Sequence, residues 1–210
     1  MERTTIEEAK LIFKDNFIGI DELLLLFERF HPMGETQISI PDVPWNKVLL
    51  EKMADNYILI LGIPSWGGVD MNIRNMRDCF GIDPELSEPC FYNQDWYIHE
   101  CFIDRTLELK WYLVRKNVFD NSRAVDPDIL VEHEVKFPSA ILCCYTFFAY
   151  YFARGIKLWE YDFIWCCDKD HNSDRIYVGK YTDVDGVNKN GFSIHRHLAL
   201  RPCYTAIDCL

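Results

Sequence analysis

The chain has 210 residues and a formal net charge of −11, from 33 acidic against 22 basic side chains. A surface of that sign repels phosphate backbones, and no basic strip in the sequence opposes it, so nucleic acid is not expected as a partner. Hydrophobic residues make up 49% of the chain and include 14 Phe, 11 Tyr and 6 Trp. That content is sufficient for one folded domain over residues 1–210 with an aromatic core.

The amino-terminal residues, the apolar stretches and the cysteines lead us to expect a cytoplasmic protein. The first ten residues are charged and polar, without the apolar region of a secretory signal, and the longest apolar stretches are too short for a membrane span. Nine cysteines occur, two pairs of them adjacent (Cys143-Cys144 and Cys166-Cys167), with no C-x-x-C spacing. We therefore expect reduced, mostly buried thiols rather than disulfides or a zinc ribbon.

The first sixty residues predict helices followed by a buried strand. Caps at Thr4-Thr5 and Asp21 and apolar residues at helical spacing predict helices ending near Phe13 and Phe30. An extended connection then leads to Trp45. After it the pattern predicts a helix over residues 46–56 and a strand over residues 57–61.

The middle of the chain predicts a loop followed by two helices. Residues 71–88 are interrupted by Gly and Pro, which favours a loop with one turn of helix. Apolar residues near helical spacing predict a long helix from Trp96 to about Leu109, with residues 110–115 turning into a strand. Pro138-Ser139 opens a strongly apolar helix over residues 140–152, whose aromatic stripe is typical of core packing.

The last fifty residues change to a strand pattern. Apolar or alternating runs over residues 163–167, 175–183 and 192–200 are separated by Asp, Asn, Gly and Ser clusters, which predicts a β-meander. The fold class is therefore α+β, with N-terminal and central helices in a helical part (residues 1–160) packed on an antiparallel meander (residues 161–210).

A polar loop between two of these strands is the first candidate site. Asp168, Asp170, Asn172 and Asp174 place an oxygen-bearing side chain at every second position, with His171 among them. Hard cations such as calcium take several oxygen ligands, so this spacing is compatible with Ca²⁺. A hairpin turn rich in Asp and Asn for ordinary turn reasons has the same pattern. An EF-hand is excluded because Ser173 stands at the sharp turn and Gly179 at the closing position.

Two histidines give the second candidate site. His195 and His197 lie two apart in a predicted strand, which projects both onto one face. Two imidazoles on one face are compatible with a transition metal or with proton transfer, and no third ligand is visible nearby. The glycine-rich phosphate loops and the common hydrolase and zinc-protease motifs are absent from the sequence.

Short motifs resemble known groups of proteins. Most of the chain resembles a set of uncharacterised bacterial proteins, and the last fifty residues resemble the end of C-type-lectin-like domains, including the formylglycine-generating-enzyme-like and phage variable-protein types. The first likeness is carried by Ile38-x-Ile40-Pro41-x-x-Pro44-Trp45, Phe91-Tyr92, Trp96-Tyr97, residues 107–113 and Pro138 to Ile141. The second is carried by Trp165, residues 175–179, Gly191-Phe192 and Leu200-Arg201-Pro202.

The second resemblance implies a twisted antiparallel sheet flanked by helices, with ligand recognition by the loops near residues 168–174 and 183–190. The sequence departs from these domains because no cysteines match the catalytic pair of the formylglycine-generating enzymes and no lectin disulfides are present. The resemblance therefore implies a fold and a mode of binding without an activity.

These observations lead to three functional hypotheses. The first is a non-enzymatic binding or interaction protein without a prosthetic group, whose exposed polar loops, Asp168 to Asp174 above all, contact a protein or small-molecule ligand. The alternative is a metal-dependent enzyme using His195 and His197, with an acidic residue of the 168–174 loop completing the site. The third is a structural subunit of a prophage or mobile-element assembly.

Overall fold

A computed structural model describes residues 3–30, 37–184, 189–197 and 200–210 of the protein. The chain contains both helices and strands, in agreement with the predicted α+β class. The helices are α1 (Ile6–Phe13), α2 (Ile20–Phe27), α3 (Lys47–Met53), α4 (Ile73–Phe80), α5 (Pro127–Glu132) and α6 (Ala140–Arg154). The strands are β1 (Phe17–Ile18), β2 (Tyr57–Gly62), β3 (Ser65–Trp66), β4 (Val69–Asp70), β5 (Lys110–Arg115), β6 (Phe163–Lys169), β7 (Arg175–Gly179), β8 (Ser193–His195) and β9 (Tyr204–Thr205).

The long apolar helix α6 lies at the centre of the molecule. The Ser139 hydroxyl accepts the backbone N–H of Leu142 at its start, and Gly155 ends it at φ 69°. Its residues from Ala140 to Tyr150 are all buried, so the helix contacts apolar partners around its circumference. It packs against α2 on one side and against β7 of the C-terminal sheet on another.

A first sheet, in the order β1-β2-β5, precedes α6 in the chain. Strand β2 is buried at every position, as its uninterrupted apolar run predicts, and pairs antiparallel with β5 from Tyr57 opposite Arg115 to Gly62 opposite Lys110. The strands predicted over residues 57–61 and 110–115 are thus found as β2 and β5. They form a sheet within residues 1–160, so the description of that part as helical is wrong in this respect.

The C-terminal sheet has the order β8-β7-β6-β9. Strand β7 pairs antiparallel with both β6 and β8, while β9, which was not predicted, adds to β6 in parallel. One face of this sheet, with Ile164, Ile176 and Ile194, belongs to the main core. The opposite face, which we call the aromatic face, carries Phe163, Trp165, Tyr177, His195 and Tyr204.

Two predictions for the middle of the chain are wrong. No long helix covers residues 96–109, where a short 3-10 turn (Cys101–Asp104) and irregular backbone are found instead. Polar tertiary contacts hold this segment, because the Trp96 indole donates to the Ile194 carbonyl and the Arg105 guanidinium to Asp168. Residues 71–88, predicted to be mostly loop, contain α4, whose start is capped by the Asn72 side chain.

Candidate functional site

The predicted polar loop is the hairpin between β6 and β7, and Asp170 organises it. One carboxylate oxygen of Asp170 accepts the backbone N–H groups of Asn172 and Asp174, at 2.9 and 2.8 Å. The other accepts from the Arg196 guanidinium at 2.9 Å. Burial raises the pKa of Asp170, but these three donors outweigh it and lower the pKa below its usual range. Asp170 thus fixes the turn from inside.

Asp168 connects the same strand to the central helix. One oxygen of its carboxylate accepts the backbone N–H of Ala140, the first residue of α6, at 2.6 Å, and the other accepts from Arg105 at 2.6 Å. The helix start leaves such N–H groups without intrahelical partners, so a buried carboxylate there satisfies both hydrogen bonding and the helix dipole. Asp168 is only 3% exposed.

The expectation that the whole loop is exposed is therefore wrong for two of its members. Asp168 and Asp170 are buried and point into the protein, because the backbone groups and arginines that they satisfy lie there. His171, Asn172 and Asp174 are exposed, as predicted. The five side chains do not converge on one ligand position, and the alternating oxygens do not form a calcium-binding set.

Glu100 extends this polar group and gives a cluster with metal-compatible atoms. Ligand atoms of Glu100, Asp170 and His171 lie within 4.8 Å of one another. The carboxylate oxygens of this cluster already have partners. Glu100 accepts from His171 Nδ1 at 2.5 Å and from the His171 backbone N–H at 3.1 Å, and the Arg196 guanidinium lies 3.8 Å from the Glu100 carboxylate. A metal would have to displace the Arg196 guanidinium from Asp170, so the protein's own cations satisfy this cluster.

The two predicted metal histidines are separated by the end of the strand. His195 is the last residue of β8, while His197 lies two residues beyond it and is exposed. Within the described ranges, the one group of three metal-compatible side chains is that of Glu100, Asp170 and His171, so no third ligand joins His195 and His197. The predicted strand over residues 192–200 extends into positions outside the described residues.

His195 instead lies on the aromatic face, against neighbouring rings. Its imidazole stacks on Tyr177, the residue opposite in β7, with centroids 5.6 Å apart and planes at 17°, and meets Phe163 edge-on at 5.2 Å. The Gln94 amide nitrogen lies 3.1 Å from both ring nitrogens. An amide nitrogen only donates, so this contact requires an unprotonated ring nitrogen.

The electrostatic surroundings of His195 favour the same neutral form. Burial, reinforced by the positive charge of Lys180 and by His197, lowers the pKa of His195 from 6.5 to about 4. At neutral pH the ring is therefore an uncharged hydrogen-bonding group rather than a cation.

A cavity of about 280 Å³ opens beside His195, and we call it the His195 cavity. Its lining combines aromatic rings, basic side chains and a few polar groups: Tyr92, Gln94, Phe163, Lys180, Tyr181, Thr182, Asp183, Lys189, Ser193, His195, Arg201 and Tyr204. Among the described residues, neither Lys180 nor Arg201 has a carboxylate within ion-pair distance. Lys180 lies over the Phe163 ring, 5.7 Å from its centroid.

The segment carrying Tyr92 and Gln94 is held beside β8 by backbone contacts. Phe91 and Phe192 form a parallel bridge, with Tyr92 donating to the Phe192 carbonyl at 3.0 Å. Gly191 permits this approach, because a Cβ there would lie 2.4 Å from the Tyr92 nitrogen. Gln94 thus reaches His195, and its own Oε1 is buried without a hydrogen-bond partner in the described structure.

Sequence reasoning named His195 as a candidate ligand and, through the resemblance, the loop near residues 183–190, which contributes Asp183 and Lys189 to this cavity. Gln94, Lys180 and Arg201 come from three separate segments, and no spacing connects them. The one local signal was the Gly191-Phe192 pair, a glycine next to a strand, which is typical of close backbone approach.

Among the described residues, no helix combines the length and the apolar character needed to cross a lipid bilayer. No protein-family model matches the chain, and comparisons with curated proteins and with solved structures also gave no match.

Proposed function

We propose that the protein binds a small organic anion in the His195 cavity. The observation that carries this proposal is the presence of Lys180 and Arg201 in one cavity, neither with a carboxylate partner in the described structure. The chain as a whole is acidic, with a net charge of −11, so a basic cavity is a local departure from the general surface. Cations that converge without counter-charges attract an anionic ligand.

The other charged groups of the lining are already engaged. Lys189 pairs with Asp83 at 2.9 Å and with Glu85 at 3.4 Å. Asp183 has an interaction partner of its own. Lys180 and Arg201 are therefore the groups with capacity for a ligand's negative charge.

The uncharged groups narrow the ligand class. The buried Oε1 of Gln94 is an acceptor without a donor, and neutral His195 holds the other end of that amide. A ligand hydroxyl or N–H group would satisfy this oxygen, which otherwise costs stability as a buried unsatisfied acceptor. Tyr92, Phe163 and Tyr204 supply apolar walls. We therefore expect a carboxylate or phosphate ester that also carries a hydrogen-bond donor.

We thus keep the predicted class, a binding protein, but place its ligand site in the His195 cavity instead of the 168–174 hairpin. Asp168 and Asp170 act as internal supports, and the exposed side chains of His171, Asn172 and Asp174 remain as a predicted contact surface at the hairpin. The C-type-lectin-like resemblance of this part of the chain remains a prediction from its motifs, as does the structural subunit of a mobile-element assembly, which predicts an elongated oligomer in solution.

The metal-dependent enzyme is the less favoured candidate, because His197 lies beyond β8 and the described residues add no third ligand to the pair. It predicts stoichiometric transition metal in protein purified without chelator. Metal analysis by mass spectrometry, together with zinc and manganese titration of metal-free protein, tests it, and failure to take up either ion would contradict it.

Calorimetric titration tests the anion proposal, with glycerol phosphate and inorganic phosphate as probes and glycerol as the uncharged control. We expect glycerol phosphate to bind, to raise the melting temperature by mass action, and to bind at least about tenfold more weakly to Lys180→Met and Arg201→Met, since each loses a charge-assisted contact. Lys52→Met, an exposed lysine outside the cavity, is the matched control. Equal weakening by Lys52→Met, or equal binding of glycerol, would contradict the proposal.

A further inference from the structure

A second cavity lies between the 168–174 hairpin and the start of α5, and we call it the Trp165 cavity. Its volume is about 190 Å³, and it is lined by residues of β6, β7, the hairpin between them, the start of α5 and the segment after β8: Asp126, Pro127, Asp128, Trp165, Lys169, Ser173, Asp174, Arg175 and Arg196. It shares no lining residue with the His195 cavity. The two cavities can therefore be tested independently.

The indole N–H of Trp165 is the unusual feature of this cavity. Trp165 is 1% exposed, and its indole nitrogen has no hydrogen-bond partner within the described ranges. Three other indoles do have partners: Trp96 donates to Ile194 at 2.9 Å, Trp111 to Pro41 at 2.8 Å and Trp159 to Lys116 at 3.0 Å. A buried donor left unpaired costs free energy, so an acceptor that reaches it is favoured.

Charges of both signs line the same cavity without ion-pair partners. The ammonium group of Lys169 and the carboxylate of Asp174 form no ion pair with any described residue. Lys169 is opposite Arg175 across the hairpin, and Asp174 directly precedes Arg175. The ammonium and carboxylate groups of Lys169 and Asp174 therefore belong to the same end of the β6-β7 pair. The Arg175 guanidinium donates to Asp128 and to the Cys166 carbonyl, and that of Arg196 donates to Asp170 and lies 3.8 Å from Glu100. Each retains further N–H donors.

We propose that the Trp165 cavity binds a small zwitterion of the amino-acid class. The carboxylate of such a ligand accepts from the Trp165 indole and from Lys169, and its ammonium group faces Asp174. A simple anion would satisfy the cations and be repelled by Asp174, while a simple cation would leave the indole unpaired. Asp174, predicted from its spacing as a binding residue, acquires here a specific partner.

The experiment follows indole resonances of the ¹⁵N-labelled protein in ¹H–¹⁵N spectra during titration with glycine, L-alanine and L-glutamate, with acetate and methylamine as half-ligands. The Trp165 signal is assigned by its loss in Trp165→Phe. We expect one of the amino acids to shift this signal at millimolar concentration, and each half-ligand to act at least about tenfold more weakly. The Trp111 indole, bonded to Pro41, is the internal control and should not move.

Two exposed variants keep the test independent of any folding defect in Trp165→Phe. Lys169→Gln and Asp174→Asn should each weaken amino-acid binding at least about tenfold, whereas Lys52→Gln and Asp55→Asn, exposed positions elsewhere, should leave it unchanged. If no amino acid moves the Trp165 signal, or if both cavity variants bind as the wild type does, the inference is wrong. Glycerol phosphate binding at the His195 cavity would persist in that case, which separates this failure from failure of the proposed function.

Discussion

The 168–174 hairpin and the His195 cavity are both polar regions of the C-terminal sheet, and they differ in how their charges are satisfied. In the hairpin, the carboxylates of Asp168 and Asp170 accept from two arginines and from three backbone N–H groups. In the cavity, Lys180 and Arg201 have no carboxylate partner in the described structure, and the Gln94 carbonyl oxygen has no donor.

This difference distinguishes charges that support the fold from charges that are able to bind a ligand. A buried charge that the protein itself neutralises contributes to the fold and has little capacity left for a ligand. A charge or acceptor left open at a cavity has that capacity. Asp168 and Asp170 are therefore structural residues, while the lining of the His195 cavity carries the proposed binding.

The largest expected effect on stability is that of replacing Asp170, and the exposed Asp174 of the same hairpin is its comparison. Asp170→Ala leaves Arg196 and two backbone N–H groups without their carboxylate, and we expect a loss of about 3 kcal/mol in the free energy of unfolding. Asp174→Ala, at an exposed side chain, should change it by less than about 0.5 kcal/mol. Urea unfolding of both variants measures this, and equal losses would contradict the assignment of Asp170 as the internal support.

The next effect is the contribution of His195 to the loss of stability at acidic pH. Because the pKa of its ring is about 4 in the folded protein against 6.5 ordinarily, the unfolded chain binds more protons between these values. Stability should therefore fall as the pH drops from about 6.5 to about 4, by about 3 kcal/mol from this group alone, and then level off. Carboxylates titrate in part of the same range, so the readout is the difference between wild type and His195→Gln. Parallel stability curves for the two proteins would show that His195 titrates normally.

Replacing Asp168 should have an intermediate effect on stability. The contributions of its two partners, the Ala140 N–H and Arg105, can be measured separately. Asp168→Ala removes the acceptor of the Ala140 N–H at the start of α6, and we expect a loss of about 2 kcal/mol. Arg105→Met removes only the ion pair, whose arginine side chain is 60% exposed, and should cost less than about 1 kcal/mol. Denaturant unfolding of the two variants would contradict this division if Arg105→Met cost as much as Asp168→Ala.

The elements that the sequence predicted are those whose surroundings are uniform along their length. Strand β2 and helix α6 are buried over nearly all their residues, so apolar content and caps were sufficient to identify them. The segment after Trp96 has apolar residues at a similar spacing. Its fold is decided by single distant contacts, such as the Trp96 indole to Ile194, which local periodicity does not contain.

In the candidate site too, the sequence predicted the features that depend on local residues and missed those that depend on distant contacts. The exposure of Asn172 and Asp174 follows from turn chemistry, which is local. The burial of Asp168 depends on the start of α6, twenty-eight residues earlier in the chain. The His195 cavity depends on Gln94, 101 residues away, reached through the close approach at Gly191. Long-range pairing of this kind decided which polar residues converge.

The smallest expected effect tests the two histidines as a pair. His197 is exposed, so His197→Ala should change the free energy of unfolding by less than about 0.5 kcal/mol. Removing Lys180 or His197 should each raise the pKa of His195, because both disfavour its protonation, and Lys180→Met should raise it further because Lys180 is the stronger influence. NMR titration of the His195 ring measures both shifts. A larger shift from His197→Ala would mean that the two imidazoles interact closely, and would return the histidine pair to consideration as a site.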